Sequence, residues 1–190
     1  AGYVIGFIAP IIEKKLPEGL NLIVGALAIA PLARIIAIAV DPVVNSTLLN
    51  IGRMISAAAE QSPLIMGFLL GGIMKMICTS PLSSMALTAM LGLDGLAMGI
   101  AAIACVGGSF TNGIIFDRLK LGERSNVMAV MLEPLTQADI ITQNPIPIYG
   151  SNFFGGGLAG LAAAMLGIIN NAPGTASPIP GLLAPFGFNP

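Results

Sequence analysis

Two carboxylates, Glu133 and Asp139, share the stretch MLEPLTQADIITQNPIPIY (residues 131–149) with three prolines, Pro134, Pro145 and Pro147. No charged residue follows from Ile140 to Pro190, so both acids border a long apolar region. A carboxylate in apolar surroundings is costly, and where one is kept it accepts hydrogen bonds, carries protons or pairs with a cation. Pro134 and the Asn144-Pro145 pair interrupt a helix and free backbone carbonyls. Carboxylate oxygens, freed carbonyls and the amides of Gln137 and Asn144 together suit a ligand made mainly of hydroxyls. The competing reading makes Glu133 a helix-end residue paired with an arginine or lysine, and Asp139 a cap for the segment that follows it.

Two further segments have the same character. Thr79-Ser80-Pro81-Leu82-Ser83-Ser84 sets four hydroxyls around a proline, and residues 171–181 combine Asn171 and other polar residues with prolines. Irregular backbone survives at membrane depth only inside protein or beside water, because each unpaired group in lipid costs several kcal/mol. Helices broken near the bilayer midplane are how secondary transporters build binding sites. Thr79, Ser80, Ser83, Pro134, Gln137, Asp139, Asn144 and Asn171, with Glu133 at the centre, are therefore the candidate ligand-binding residues. The alternative role of the hydroxyls is to satisfy carbonyls freed by Pro81.

Such segments need a membrane around them, and the composition provides for one. The chain is 55% hydrophobic and 9% charged, against about 25% charged in soluble domains. The net charge of −1 gives no reason to expect nucleic acid. With no histidine in the chain, imidazole catalysis and histidine-ligated metals are excluded. Cys78 and Cys105 lie in apolar runs and read as small packing residues; no cysteine cluster indicates a metal, and no cofactor is expected.

The positioning elements follow from hydropathy and proline. Residues 1–12 read as the end of a crossing, 13–18 as a charged turn, and 19–40 as a full crossing stopped by Asp41-Pro42. Residues 42–61 carry Val44, Leu48, Ile51, Ile55 and Ala58 at helical spacing and predict an amphipathic helix lying in the interface. At about 1.5 Å per residue the run 63–93 is ~46 Å long, against a hydrocarbon core of about 30 Å. It is therefore expected to break at 79–84 and continue as a half-helix ending at Gly92, with Lys75 snorkelling to the headgroups. Further crossings are expected at 95–116 and 152–169. Arg118, Lys120 and Arg124 make 117–125 a cytoplasmic loop. If Lys14 and Lys15 place the first turn on the same side, 63–93 must enter the membrane and return. Gly67/Gly71, Gly95/Gly99 and Gly156/Gly160 have the spacing of closely packed helices. The fold class is thus an all-α integral membrane protein with broken helices and re-entrant hairpins.

The stretch LEPLTQADIITQNPIPIYG resembles the sugar-binding loop of the membrane subunit IIC of the phosphoenolpyruvate-dependent sugar phosphotransferase system, which carries a Glu-Pro pair followed by an Asn-Pro pair. Here these are Glu133-Pro134 and Asn144-Pro145. TSPLSSMALTAMLGL (79–93) and NNAPGTASPIPGLLAPFGFN (170–189) resemble a divergent branch of IIC-like proteins that includes toxin regulators. The resemblance implies a multi-pass protein of the bacterial inner membrane, with residues 62–190 as a transport domain and 1–61 as scaffold helices, one crossing and the interfacial helix. It also implies a homodimer, a sugar or polyol ligand, and a cytosolic IIB partner that supplies the phosphoryl group, with 117–125 as a docking surface. Glu133 takes the role of the carboxylate that binds sugar hydroxyls and helps deprotonate the one receiving phosphate. Met131-Leu132 replace the Ile-Thr usual before that glutamate, and the histidine many IIC subunits hold in the site is missing. A permease is therefore the leading expectation. A ligand-sensing regulator on the same fold, without coupled phosphorylation, is the alternative. The three polar breaks argue against a purely structural scaffold.

Overall fold

Proline dictates where the helices of this chain start and stop. The computed structural model describes Leu27 and residues 30–190. The expected helix end at 1–12, the turn at 13–18 and most of the first half of the 19–40 crossing lie outside the described residues. The chain divides between Thr47 and Leu48 into two units, and the elements discussed below as a site all belong to the second.

Helix α1 spans Ala30–Gln61 with Pro42 inside it. The expected stop at Asp41-Pro42 does not occur. Proline removes one helical hydrogen bond, but with no water to take up freed backbone groups a helix stays the best conformation on either side of it. Side chains help at this point: Asn45 donates to the Asp41 carboxylate at 2.9 Å, and Thr47 Oγ1 donates to the Val43 carbonyl at 2.8 Å. Along the later half of α1, Gly52 and Ala59 are buried, and Leu48 and Ile55 pack on the core. Val44 and Ile51, expected on the same apolar face, stay exposed.

Helix α2 (Pro63–Thr79) starts with proline in its first turn, where the missing N–H has no helical partner to lose. It ends at Thr79, the residues at 80–83 are non-helical, and α3 (Ser84–Leu91) follows. Gly92 closes α3 in the left-handed conformation, φ 59°, which a residue without Cβ adopts freely. The break expected around Pro81 and the half-helix ending at Gly92 are therefore both present. Helix α4 (Gly95–Leu119) runs past the expected boundary at 116, so the connection to α5 (Arg124–Leu132) is only residues 120–123.

Residues 133–147 are not irregular throughout, as the three prolines had implied. After an extended Glu133 come a 3₁₀ turn (Pro134–Gln137), the short helix α6 (Ala138–Gln143) and α7 (Pro145–Met165). Pro134 and Pro145 each open a helical piece, so the prolines mark starts. The tail forms α8 (Pro178–Leu183) and a 3₁₀ turn (Ala184–Gly187). No strand occurs among the described residues. Among the described residues two helices, α1 and α4, are long and apolar enough to cross a membrane. At about 1.5 Å per residue, the 17 residues of α2 span about 26 Å, short of a crossing.

The core is built on glycine. A Cβ on Gly71 would sit 2.6 Å from the Gly156 carbonyl oxygen and 2.9 Å from Gly160 Cα. Gly67 similarly faces the Gly160 carbonyl and Ala164, while Gly72 faces Phe153. These pairings run α7 antiparallel to α2, with both glycine pairs turned into one seam where the backbones meet. Phe68 and Phe153 close one edge of it, ring centroids 5.7 Å apart and nearly perpendicular. The third pair does less: Gly99 lets the Ile168 carbonyl approach, but nothing lies within 4 Å of a Cβ on Gly95.

Candidate functional site

Pro81 ends α2, and the hydroxyls beside it take over the hydrogen bonds that the helix gives up. Ser80 Oγ donates to the Ile77 carbonyl at 2.7 Å and accepts from Leu82 N at 3.1 Å. Ser83 caps α3 by accepting from Ala86 N at 3.1 Å. Ser84 Oγ donates to the Ala176 carbonyl at 2.6 Å, tying this break to the one in the tail. These serines do satisfy the backbone, as the alternative reading held. All three also line a cavity.

That cavity is a cleft of about 220 Å³ walled by Ser80, Ser83 and Ser84 from the first break, Glu133 and Leu135 from the second, and Ser177 from the third, with Cys78, Leu82 and Met85 completing it. The polar segments at 79–84, 133–147 and 171–181 thus each contribute to one place. Glu133 is extended, φ −149°, because α5 ends there: its N–H closes the helix on the Ala129 carbonyl and Pro134 starts the next turn. Its Oε1 accepts from Leu135 N at a long 3.5 Å, so most of the carboxylate's accepting capacity is free. The only ion pair among the described residues is Lys120–Asp117, so none of the described arginines or lysines pairs with Glu133. It is exposed, at the mouth of the cleft.

The other predicted residues do not line the cleft, and each has a structural task. Pro134 is buried beneath Glu133 and opens the 3₁₀ turn. Gln137 Oε1 accepts from Asn126 Nδ2 at 2.6 Å, locking the turn onto α5. Asp139 is exposed in the first turn of α6, where a negative charge favours the helix end, but it does not cap that helix: Gln137 stands at the N-cap and no side-chain cap bond is made. Asn144 precedes α7 and donates back to the Ile140 carbonyl at 3.0 Å. Asn171 Oδ1 accepts from Gly95 N at 3.1 Å and so serves the start of α4. Thr79 is buried in the helical core, accepting from Asn112 Nδ2 at 3.3 Å. Ser84, Ser177 and Cys78 were the omissions. The two serines lie in the polar segments 79–84 and 171–181, whose expected ligands were Thr79, Ser80 and Ser83 in the first and Asn171 in the second.

Behind the cleft lies a polar core that sequence reasoning missed. Lys75 is 0% exposed and does not snorkel. Its stem lies against Gly108 of α4 and Gly156 of α7, either of which would collide with it if given a Cβ. Its ammonium donates to the Cys105 carbonyl at 3.4 Å. One turn along each helix, Thr79, Asn112 and Asn152 are all fully buried. Asn152 Nδ2 donates to Asn112 Oδ1 at 2.6 Å, and Asn152 Oδ1 has no partner. An ammonium with no carboxylate partner among the described residues is retained in such a core at a cost in stability. Lys75→Met keeps the stem and removes the charge. It should therefore leave the thermal unfolding temperature in detergent unchanged or raised, and a pronounced fall would show that the ammonium holds the core together.

Broken helices, a glycine seam and a polar cleft between the breaks define an all-α membrane protein of transporter type. The chain matches the family described as phosphotransferase system, EIIC, over residues 1–190, and it belongs to that family. Membership carries with it a membrane setting and a place in sugar transport by the phosphotransferase system. No curated protein and no solved structure matches the chain.

Proposed function

We propose that this member of the family is a sugar or polyol permease of the IIC type whose substrate binds in the cleft between the three breaks. Glu133 accepts hydrogen bonds from substrate hydroxyls and acts as general base toward the one receiving phosphate. The observation that carries the reading is the convergence of Ser80, Ser83, Ser84, Glu133 and Ser177, from three separate segments, on one cleft. Glu133, Ser80 and Ser83 are the direct ligands in this reading, while Thr79, Pro134, Gln137, Asp139, Asn144 and Asn171 hold the segments that present them. A base must reach the proton it removes, directly or through one water, and Glu133 is the only carboxylate lining the cleft. The phosphoryl group comes from a cytosolic IIB protein docking near the basic residues Arg118, Lys120 and Arg124. Residues 62–190 act as the transport domain and 1–61 as the scaffold through which a homodimer forms.

The second reading is a regulator that binds the same ligand without moving it, favoured by the absence of histidine and by Met131-Leu132 before Glu133. Uptake of labelled sugars into proteoliposomes, with and without phosphorylated IIB, separates the two. Accumulation of sugar phosphate only in the presence of IIB is the expected result. Saturable binding with no uptake under either condition would make the protein a sensor.

A further inference from the structure

Helix α3 begins in the wall of the cleft: Ser83 at its N-cap and Ser84 and Met85 in its first turn all line it. A helix leaves its first N–H groups without helical partners. Ser83 Oγ takes that of Ala86 at 3.1 Å, while those of Ser84 and Met85 make no hydrogen bond among the described residues. Ser177 reaches the same cleft from the tail. The Ser84 hydroxyl donates at 2.6 Å to the carbonyl of Ala176, the residue before it, so the start of α3 and Ser177 are held side by side. Ser177 stands at the N-cap of α8 yet makes no cap bond, and its hydroxyl has no partner among the described residues. The residue is only 6% exposed. Asn152 Oδ1 is the one fully enclosed side-chain atom left unpartnered among the described residues, so the Ser177 hydroxyl opens into the cleft it lines.

We propose that the start of α3 and Ser177 form a phosphoryl-binding subsite within the cleft, with the Ser84 and Met85 N–H groups and the Ser177 hydroxyl donating to phosphate oxygens. Helix starts hold phosphate because several N–H groups point outward together and the helix dipole favours negative charge. Ser83 adds a further donor, since its Oγ accepts from Ala86 N and keeps its own proton. Lys75 is not a ligand of this subsite: its ammonium donates to the Cys105 carbonyl, and it does not line the cleft. Glu133 sets the opposite character. A carboxylate has no proton to give a phosphate oxygen, and its charge repels an anion in the same cleft. The cleft thus combines a donating end with an accepting side, which suits a phosphate monoester on a hydroxylated body. That the body is a sugar rests on the permease reading; the phosphoryl subsite rests on α3 and Ser177 alone.

Inorganic phosphate and glucose 6-phosphate are the probes, titrated calorimetrically into the full chain purified in phosphate-free detergent buffer. Saturable binding of glucose 6-phosphate is expected. Ser177→Ala breaks no hydrogen bond among the described residues, so it should unfold at the wild-type temperature. It should nevertheless weaken phosphate binding about tenfold or more, as loss of one hydrogen bond to a charged group does. Ser84→Pro removes one N–H at the first helical position, where the extended Ser83 (φ −80°, ψ 104°) suits a following proline. Compared with Ser84→Ala, which loses the same hydroxyl, it should weaken binding by a further similar factor. Glu133→Gln should tighten the phosphate probes, opposite to its effect on a neutral sugar. Glucose 6-phosphate binding more tightly than inorganic phosphate assigns the subsite to a phosphorylated ligand; equal binding assigns it to free phosphate. Phosphate binding that persists in a protein showing no sugar uptake would remove the permease reading and leave the subsite standing. The proposal is overturned if neither probe binds folded wild-type protein, or if Ser177→Ala and Ser84→Pro both bind normally. It is equally overturned if binding is lost in Arg118→Ala or Lys120→Ala instead, which would place the phosphate on the basic loop.

Discussion

Gly160→Leu should leave almost no folded protein, and Gly160→Ala should already cost a measurable fraction of the stability. A Cβ at this position would strike the Gly67 carbonyl, lie 2.8 Å from Gly71 Cα and reach within 3.2 Å of Ile100 Cγ2. Two of these three neighbours are backbone, which cannot swing aside as a flexible side chain can. Relief requires α7 to move away from α2, opening the seam that Gly67, Gly71 and Gly156 also build. Overpacking of a filled core costs typically about 1–3 kcal/mol for a few added methylenes, and more when the clash is rigid. Stabilities of whole domains are only about 5–15 kcal/mol, so the leucine variant loses a large share. Size-exclusion yield and thermal unfolding in detergent read the effect. Gly150→Ala is the control, because nothing lies within 4 Å of a Cβ there, and it should behave as wild type. A leucine variant as stable as the control would show that the seam is not a close backbone contact.

Glu133→Gln should weaken ligand binding about 10- to 150-fold while leaving the protein folded. Hydrogen bonds to a charged acceptor are worth roughly 1.5–3 kcal/mol net, and each 1.4 kcal/mol is about tenfold in affinity. Folding should be spared because, among the described residues, the carboxylate's only hydrogen bond is the long one from Leu135 N and no ion pair includes it. Asp139→Asn, which alters an exposed residue away from the cleft, should change binding little. Equilibrium binding of the sugar identified by uptake, measured beside thermal unfolding, distinguishes the outcomes. Normal binding by a destabilised Glu133→Gln protein would make the residue structural and empty the cleft of its proposed base.

Much of this architecture could be read from the chain because lipid leaves few options for polar backbone. Pro81 among serines announced a break, and a break occurs there; Gly92 announced a helix end; the glycine spacings at 67/71 and 156/160 announced a close contact. The same logic misread Pro42, Pro145 and Pro147. A proline inside α1 and prolines in the first turn of α7 are chemically alike in sequence, and what differs is whether the residues before them continue a helix. Lys75 was the larger miss. Whether a lysine near mid-helix snorkels or turns inward depends on the space opposite it, and that space is made by Gly108 and Gly156, distant in the chain. Site residues failed for a related reason. The polar segments were recognisable, but which of their residues face the cleft, Ser84 and Ser177 and not Thr79, Gln137, Asn144 or Asn171, is set by how each segment folds and not by composition.

The seat of Lys75 has a consequence for how this sequence can drift. Its stem fills hollows that exist because positions 108 and 156 lack side chains, so the three positions share one fixed volume. A methyl group gained at either glycine is tolerable only in a lineage where position 75 has already become shorter, and a shortened position 75 leaves a void that one of the glycines must then grow to fill. The three are expected to change together or not at all, whichever helix the first mutation strikes.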